Sequence, residues 1–273
     1  MIKSGLCSIT FRQLSAGEIV ALAAKAGLEG IEWGGDVHVP HGDIAAARSA
    51  GEKTRSAGLE ACSYGSYYRV GVSEDRGLSF GSVLETAVAL GAPAIRVWAG
   101  NKDYAQVGED LFRRIVAETF RIADMAHGAG ATICFEFHGG TLTDRGTSAV
   151  EFASQVQHDA VRFSWQPPHG YTLEDCLAGL RGLLGRLGNV HVFHWTIGSP
   201  NRNTVTPDVR PLKYPEDFHR HLLADGEDRW SAYLEAIRSS QRDHTALLEF
   251  VKDDDPEKFF RDAQTLKRLI GRT

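Results

Sequence analysis

Short apolar runs alternate along the chain with longer stretches in which apolar positions recur every three or four residues. The runs, at residues 2–8, 30–33, 59–63, 94–98, 133–137, 161–164, 190–193 and 246–248, are brief and rich in β-branched and aromatic side chains, and they predict strands. Between them, residues 15–27, 44–57, 78–90, 108–127, 148–156, 172–184, 230–238 and 256–270 carry the helical period. The stretch 108–127 shows it well, with Leu111, Ile115, Val116, Phe120, Ile122 and Ala123 on one stripe. Local chemistry agrees with the pattern. Ser15-Ala16-Gly17-Glu18 reads as a capping box opening the first helix. Ala26-Gly27, Ala57-Gly58, Gly91-Ala92 and Gly128-Ala129-Gly130 each stop a helix ahead of the next strand.

Eight strand-helix units in 273 residues predict an α/β fold, a single (β/α)8 TIM barrel spanning residues 1–273. The alternative is a doubly wound open sheet, but no G-x-G-x-x-G follows any strand. One segment breaks the rhythm. Residues 196–228, an insertion between the seventh strand and the seventh helix, hold Pro200, Pro207, Pro211 and Pro215 with little periodicity. A segment of that length is expected to cover the barrel mouth or to pack against another subunit in a homo-oligomer.

Polar residues gather where the later strands end. Ile133-Cys134-Phe135-Glu136-Phe137-His138-Gly139-Gly140 delivers Glu136 at a strand tip, with His138 on the same face two residues on. The next run ends in Trp165-Gln166-Pro167-Pro168-His169, the seventh in His194 and the last in Glu249. A single Glu or His after an apolar run is commonly a cap or a surface residue. Four polar tips at the same end of successive barrel strands instead point to a shared site, because a barrel carries its active site at the C-terminal ends of its strands.

Composition narrows the partners. The net charge of -5 and pI near 6.1 give no basic footprint for nucleic acid, and no apolar run is long enough to span a bilayer. A small molecule is the expected partner. Met1-Ile2-Lys3-Ser4-Gly5 leads almost directly into a strand without a signal-peptide pattern, so a cytoplasmic location is expected. Cys7, Cys62, Cys134 and Cys176 show no CxxC spacing and read as buried, reduced thiols.

Three stretches carry a resemblance to a known family. Gly27-Leu28-Glu29-Gly30-Ile31-Glu32 looks like the second-strand entry of the xylose isomerase-like TIM barrels, and Ala89-Leu90-Gly91-Ala92-Pro93-Ala94-Ile95-Arg96-Val97 like their fourth. Glu136-Phe137-His138 looks like their E-x-H at strand five. The chain resembles this superfamily of sugar isomerases, ketose 3-epimerases, inosose dehydratases and endonuclease IV-type repair enzymes over essentially its whole length. In its epimerases, strands five to eight give Glu, Asp, His and Glu to one divalent metal, with a substrate-binding His three residues after the Asp. By that resemblance the ligands here would be Glu136, Gln166, His194 and Glu249, with His169 on the substrate. Gln166 departs from the pattern: an amide oxygen can ligate, but one formal charge is lost. Arg202 stands at about the distance from His194 where the epimerases carry a substrate-binding Arg.

Two carboxylates, an imidazole and an amide carbonyl suit Mn²⁺ or Mg²⁺, and after them Co²⁺ or Zn²⁺. Such an ion, bound by the hydroxyl and carbonyl oxygens of a sugar, would acidify the carbon between them, with Glu136 and Glu249 as base and acid on its two faces. The expected activity is a metal-dependent sugar isomerase or epimerase acting on a ketose or related keto-sugar. If a β leaving group departs, the same site would make a lyase or dehydratase of a keto-sugar or inosose. His138 would orient Glu136 or touch substrate, and Trp33, Tyr68, Trp98 and Trp165 are candidate aromatic walls for a sugar ring. His191, His219, His221 and His244 read as surface or packing residues. An endonuclease IV-like activity would need more histidines from the first half of the barrel, where strands three and four end in Cys62-Ser63-Tyr64 and Trp98-Ala99-Gly100. A non-catalytic sugar-binding barrel is the remaining reading, and Gln166 alone favours it.

Overall fold

Strands buried on both faces read as continuous apolar runs, because one face meets the barrel interior and the other the surrounding helices. The computed structural model describes residues 1–197 and 218–271. Its strands are β1 (Ile2–Cys7), β2 (Gly30–Gly34), β3 (Glu60–Val70), β4 (Ala94–Ala99), β5 (Thr132–Glu136), β6 (Val161–Trp165), β7 (Leu187–Val192), β8 (His194–Ile197), β9 (Phe218–His221) and β10 (His244–Leu248). Eight of them are parallel and close into a barrel in the order β1-β10-β7-β6-β5-β4-β3-β2, while β8 and β9 form a separate antiparallel hairpin. The expected single (β/α)8 barrel is what the chain forms.

Helices α1 (Ala16–Lys25), α2 (Ile44–Ser56), α3 (Phe80–Leu90), α4 (Glu109–Gly128), α5 (Gly146–Gln155), α6 (Leu173–Leu183), α7 (Glu227–Arg238) and α8 (Pro256–Leu269) surround the barrel. Their starts follow from the sequence. Ser15 and Glu18 form the reciprocal capping box, and Asp43, Ser79 and Thr172 each accept from a first-turn amide. Pro256 opens α8 directly after its cap, Asp255. Gly91 ends α3 at φ 81°, a left-handed conformation that costs glycine little.

The four cysteines are free and buried, as expected. Among the described residues no helix is long and apolar enough to cross a membrane. The ends of the expected 196–228 insertion hold part of the β8–β9 hairpin and the start of α7. Its middle, residues 198–217 with Arg202, lies outside the described residues.

Helices α5 and α6 meet at a glycine pair. A Cβ on Gly179 would stand 2.5 Å from the Cα of Gly146, so the obstacle is backbone and the helices must separate to admit it. Gly179→Ala should therefore destabilise the barrel by about 1–3 kcal/mol, the usual cost of overpacking. Gly17→Ala in α1 meets nothing within 4 Å and should leave the thermal midpoint equal or higher. Thermal unfolding followed by circular dichroism decides: equal midpoints for the two variants would show that this helix contact is not tight.

Candidate active site

Barrel interiors are usually filled by branched aliphatic side chains, yet the upper interior here is charged. Glu32 on β2, Arg96 on β4, Glu136 ending β5, His191 on β7 and Glu249 just after β10 all point inward beside Cys7, and none is more than 3% exposed. The Arg96 guanidinium ties the group together. Its Nε donates to Glu32 Oε1 at 2.9 Å and its Nη1 to Glu136 Oε2. Trp98 Nε1 donates to the same Glu136 oxygen. His191 bridges the carboxylates, with Nε2 3.2 Å from Glu32 Oε1 and Nδ1 3.2 Å from Glu249 Oε2. The Cys7 thiol donates to Glu32 Oε1 at 3.4 Å.

These contacts set the charge states. Burial alone would push the Glu32 carboxyl up, but Arg96 and then His191 outweigh it and hold it at about 2. The same opposition of burial by Arg96 and His191 keeps Glu136 well below the usual carboxylate range. Burial disfavours charge on His191 too, yet Glu249 and Glu32 raise it well above an ordinary imidazole. Burial, with Glu32 and Glu249 adding to it, raises the Cys7 thiol and keeps it protonated.

The donor set fits one divalent cation. A carboxylate oxygen from each of Glu136 and Glu249 and a ring nitrogen of His191 lie within 4.8 Å of one another. His191 Nδ1 and Glu249 Oε2 are buried and, although 3.2 Å apart, make no hydrogen bond; Nδ1 lies at ion-pair distance from Glu136 Oε1 as well, at 3.5 Å. Leaving such atoms unsatisfied is costly, and a cation between them removes the cost. Glu136 Oε2 already accepts from Arg96 and Trp98, so Oε1, which among the described residues meets only the Gln166 amide at 3.4 Å and His191 Nδ1 at 3.5 Å, is the oxygen that would face a cation.

The sequence-derived candidates divide into those the barrel brings together and those it does not. Glu136 and Glu249 are central. Gln166 is beside them, but its amide nitrogen donates to the Phe137 carbonyl and, at 3.4 Å, to Glu136 Oε1. The end facing the carboxylate is therefore a donor, which holds Glu136 instead of ligating beside it. His194 is a correction. Alternation along β7 turns His191 and Phe193 inward and His194 outward, where its ring lies over Gly226 at the start of α7, so close that a Cβ there would come within 2.4 Å of Nδ1. His191, read from the sequence as a surface or packing residue, holds the interior position.

The same alternation corrects three aromatic walls. Trp33 faces α2 and donates to Thr54 Oγ1 at 3.1 Å; Tyr68 faces α4 and donates to Glu118; Trp165 packs 4.9 Å from Tyr233 on α7. Trp98, His138 and His169 do line the cleft. Trp98 and His138 lie 4.8 Å apart, and His169 stacks on Trp195 at 5.1 Å. Burial, and the nearby His138, push the His169 imidazole down to about 4, so it is neutral. Tyr67 takes the place expected of Tyr68. The register of β3 against β4 slips between Gly65 and Tyr68, and Tyr67 sits at φ 54°, a conformation costing a bulky residue about 1–2 kcal/mol. Arg12 Nη2 donates to the Tyr67 hydroxyl at 3.0 Å. The cleft above the cluster has a volume of about 930 Å³.

Glu32, Arg96, His191 and Cys7 are the residues that sequence reasoning missed. A signal for two of them was present. Glu32 between Ile31 and Trp33, and Arg96 between Ile95 and Val97, are charges inside strands buried on both faces, and such a charge must meet another charge inside the barrel.

Solved structures of similar shape include a probable 3-DHS dehydratase involved in petrobactin synthesis from Bacillus anthracis, at 19% identity, TM-score 0.77 and coverage of 98% of this chain and 99% of that one. A D-psicose 3-epimerase from Clostridium cellulolyticum, solved with D-tagatose, matches at 16% identity, TM-score 0.69 and coverage of 99% and 100%. An L-ribulose 3-epimerase matches at 17% identity, TM-score 0.65 and coverage of 99% and 94%. At such identities the likeness is one of fold. No curated protein matches the sequence. The sequence model of one family, described as xylose isomerase-like TIM barrel, matches residues 20–269, and the chain belongs to that family.

Proposed function

We propose that this protein is a metal-dependent enzyme that moves a carbon-bound proton beside the carbonyl of a keto-sugar, and so isomerises or epimerises it. The observation that carries the reading is the buried group of Glu136, His191 and Glu249 under an open cleft, with ligand atoms left unpaired. Held by these three residues, Mn²⁺ or Mg²⁺ would supply a Lewis acid that polarises the carbonyl. The remaining work falls to the chain. Arg96, Trp98 and Gln166 fix Glu136 with three donors, and Arg96 with His191 keeps it ionised. Glu249 would hold the ion through Oε2 and keep Oε1, which among the described residues meets only the Cys7 thiol at 3.8 Å, to take the proton. Trp98 and His138 form one aromatic wall of the cleft and His169 with Trp195 another, suited to the apolar faces of a sugar ring.

A second reading, dehydration of a keto-sugar or inosose, has a specific observation behind it. Epimerisation needs a proton taken from one face and returned on the other, whereas elimination needs one base and a leaving group. Donors from Arg96, Trp98 and Gln166 engage both oxygens of Glu136, whereas the Cys7 thiol at 3.8 Å is, among the described residues, the one hydrogen-bond donor that Glu249 meets.

Exchange of substrate C–H hydrogen with deuterated water tests the common step. Glu249→Gln should lower exchange and turnover by about a hundredfold or more while sugar binding persists. Glu136→Gln should lower them as well, through loss of its fixed position. Turnover that survives complete removal of metal, or that is indifferent to Glu249→Gln, would rule the mechanism out. With an unphosphorylated ketose panel, incorporation of deuterium into recovered sugar identifies epimerisation, and loss of water identifies the lyase.

Metal uptake should depend on pH in a definite sense. His191 is raised by its carboxylate neighbours and must lose its proton to ligate, so apparent affinity should rise with pH and fall as pH drops. Calorimetric titration of Mn²⁺ in buffers of different ionisation enthalpy should show about one proton released per ion. Binding with no proton release would exclude His191 as a ligand.

A further inference from the structure

The charged interior contains two overlapping sets of ligand atoms. Glu136, His191 and Glu249 form the upper one, and Cys7, Glu32 and His191, all buried, form another beneath it with atoms again within 4.8 Å. A cation already lies against the second set. Arg96 Nε is 2.9 Å from Glu32 Oε1, the oxygen that also faces His191 Nε2 at 3.2 Å and the Cys7 thiol at 3.4 Å. The fold makes room for this guanidinium: a Cβ at Gly65 would come within 2.5 Å of Arg96 Nη2 and 3.2 Å of Glu32 Oε1, and the Tyr67 ring lies 5.1 Å from the guanidinium carbon. Glu32 Oε2 is buried without a hydrogen bond, a ligand atom that the guanidinium leaves unused.

We propose that Arg96 is the resident cation of a floor built for two, and that its guanidinium excludes a second metal ion from Cys7, Glu32 and His191. Charge balance supports this. Glu32, Glu136 and Glu249 against Arg96 leave two negative charges when His191 is neutral, which one divalent ion cancels. Without Arg96 a third negative charge is exposed around a thiol, a carboxylate and an imidazole, and this is a site for a borderline metal such as Co²⁺ or Zn²⁺. On binding there, Cys7 would give its proton to solvent and ligate as thiolate, and His191, shared by the two ions, would lose its remaining ring proton to solvent and bridge them as imidazolate.

The inference rests on reading Glu136, His191 and Glu249 as a metal centre, and a titration with Co²⁺ separates the two ideas. Wild-type protein freed of metal should take up one equivalent, with no thiolate-to-cobalt charge-transfer band in the near ultraviolet. Arg96→Met should take up two and show the band, and adding Cys7→Ser should remove both the band and the second equivalent. Arg96→Lys, which keeps a positive charge, should stay at one. Elemental analysis gives the stoichiometry and absorption gives the ligand. A thiolate band or a second equivalent in the wild type overturns the proposal, and so does folded Arg96→Met that stays at one without a band. If Arg96→Met does not fold, Arg96→Gln, which keeps donors for the carboxylates, carries the same expectation. A wild type that binds no Co²⁺, beside an Arg96 variant that binds it through Cys7, would remove the upper metal centre and leave the role of Arg96 standing.

Discussion

Three carboxylates buried in one barrel interior constrain everything around them. Taking such charges out of water costs several kcal/mol per ion, and the cost is recovered only where geometry and hydrogen bonds are good. Arg96 provides most of that recovery by joining Glu32 on β2 to Glu136 on β5 across the interior, and His191 on β7 completes the circuit to Glu249. The barrel is thus tied across its upper end by ion pairs, where aliphatic packing would hold it at lower cost. A cluster this expensive, placed under an open cleft, marks the part of the molecule shaped by chemistry more than by stability.

The period of two along each strand decides which side chains join that cluster, and it also decides what the sequence could reveal. The barrel itself is legible because, outside residues 196–228, apolar runs and helical stripes alternate in eight units, with the Ser15 capping box and the Ala-Gly helix stops marking the joins. Glu136, Glu249, Trp98, His138 and His169 were legible as polar or aromatic residues at strand ends that do reach the cleft. The errors are errors of parity. His194 for His191, Tyr68 for Tyr67, and Trp33 and Trp165 as walls each assign the wrong face of a strand to the axis. The last polar or aromatic residue of a strand need not face the axis, because the pleat admits only alternate positions. Interior charges would have set the phase: Glu32 inward forces Trp33 outward, and Arg96 inward makes Trp98 inward as well. On β3 even that rule fails, because the slip before Tyr68 resets the alternation, and a slip of this kind leaves little trace in sequence.

Environment gives the two central glutamates different characters. Glu136 is surrounded by donors from Arg96, Trp98 and Gln166 that fix it in place, and Arg96 and His191 hold its pKa down. Glu249 meets a weak thiol contact at one oxygen and no hydrogen bond at the other. Identical side chains are thereby divided into one held by several donors and one left nearly free of them, and it is the neighbours that divide them.

Gln166 belongs to the same balance. An aspartate at that position would place a fourth carboxylate near Glu136, whose Oε1 is 3.4 Å from the Gln166 amide nitrogen. With three carboxylates and one guanidinium already inside, another negative charge would exceed what a single divalent ion cancels. The amide removes the repulsion and replaces it with an attraction, since its N–H points at Glu136 and at the Phe137 carbonyl. Glu32 supplies the carboxylate that Gln166 lacks, from the opposite side of the barrel and in the keeping of Arg96. The departure at Gln166 and the unexpected pair of Glu32 and Arg96 are therefore two halves of one charge arrangement: the carboxylate absent on one side of the barrel stands on the other, paired with a guanidinium.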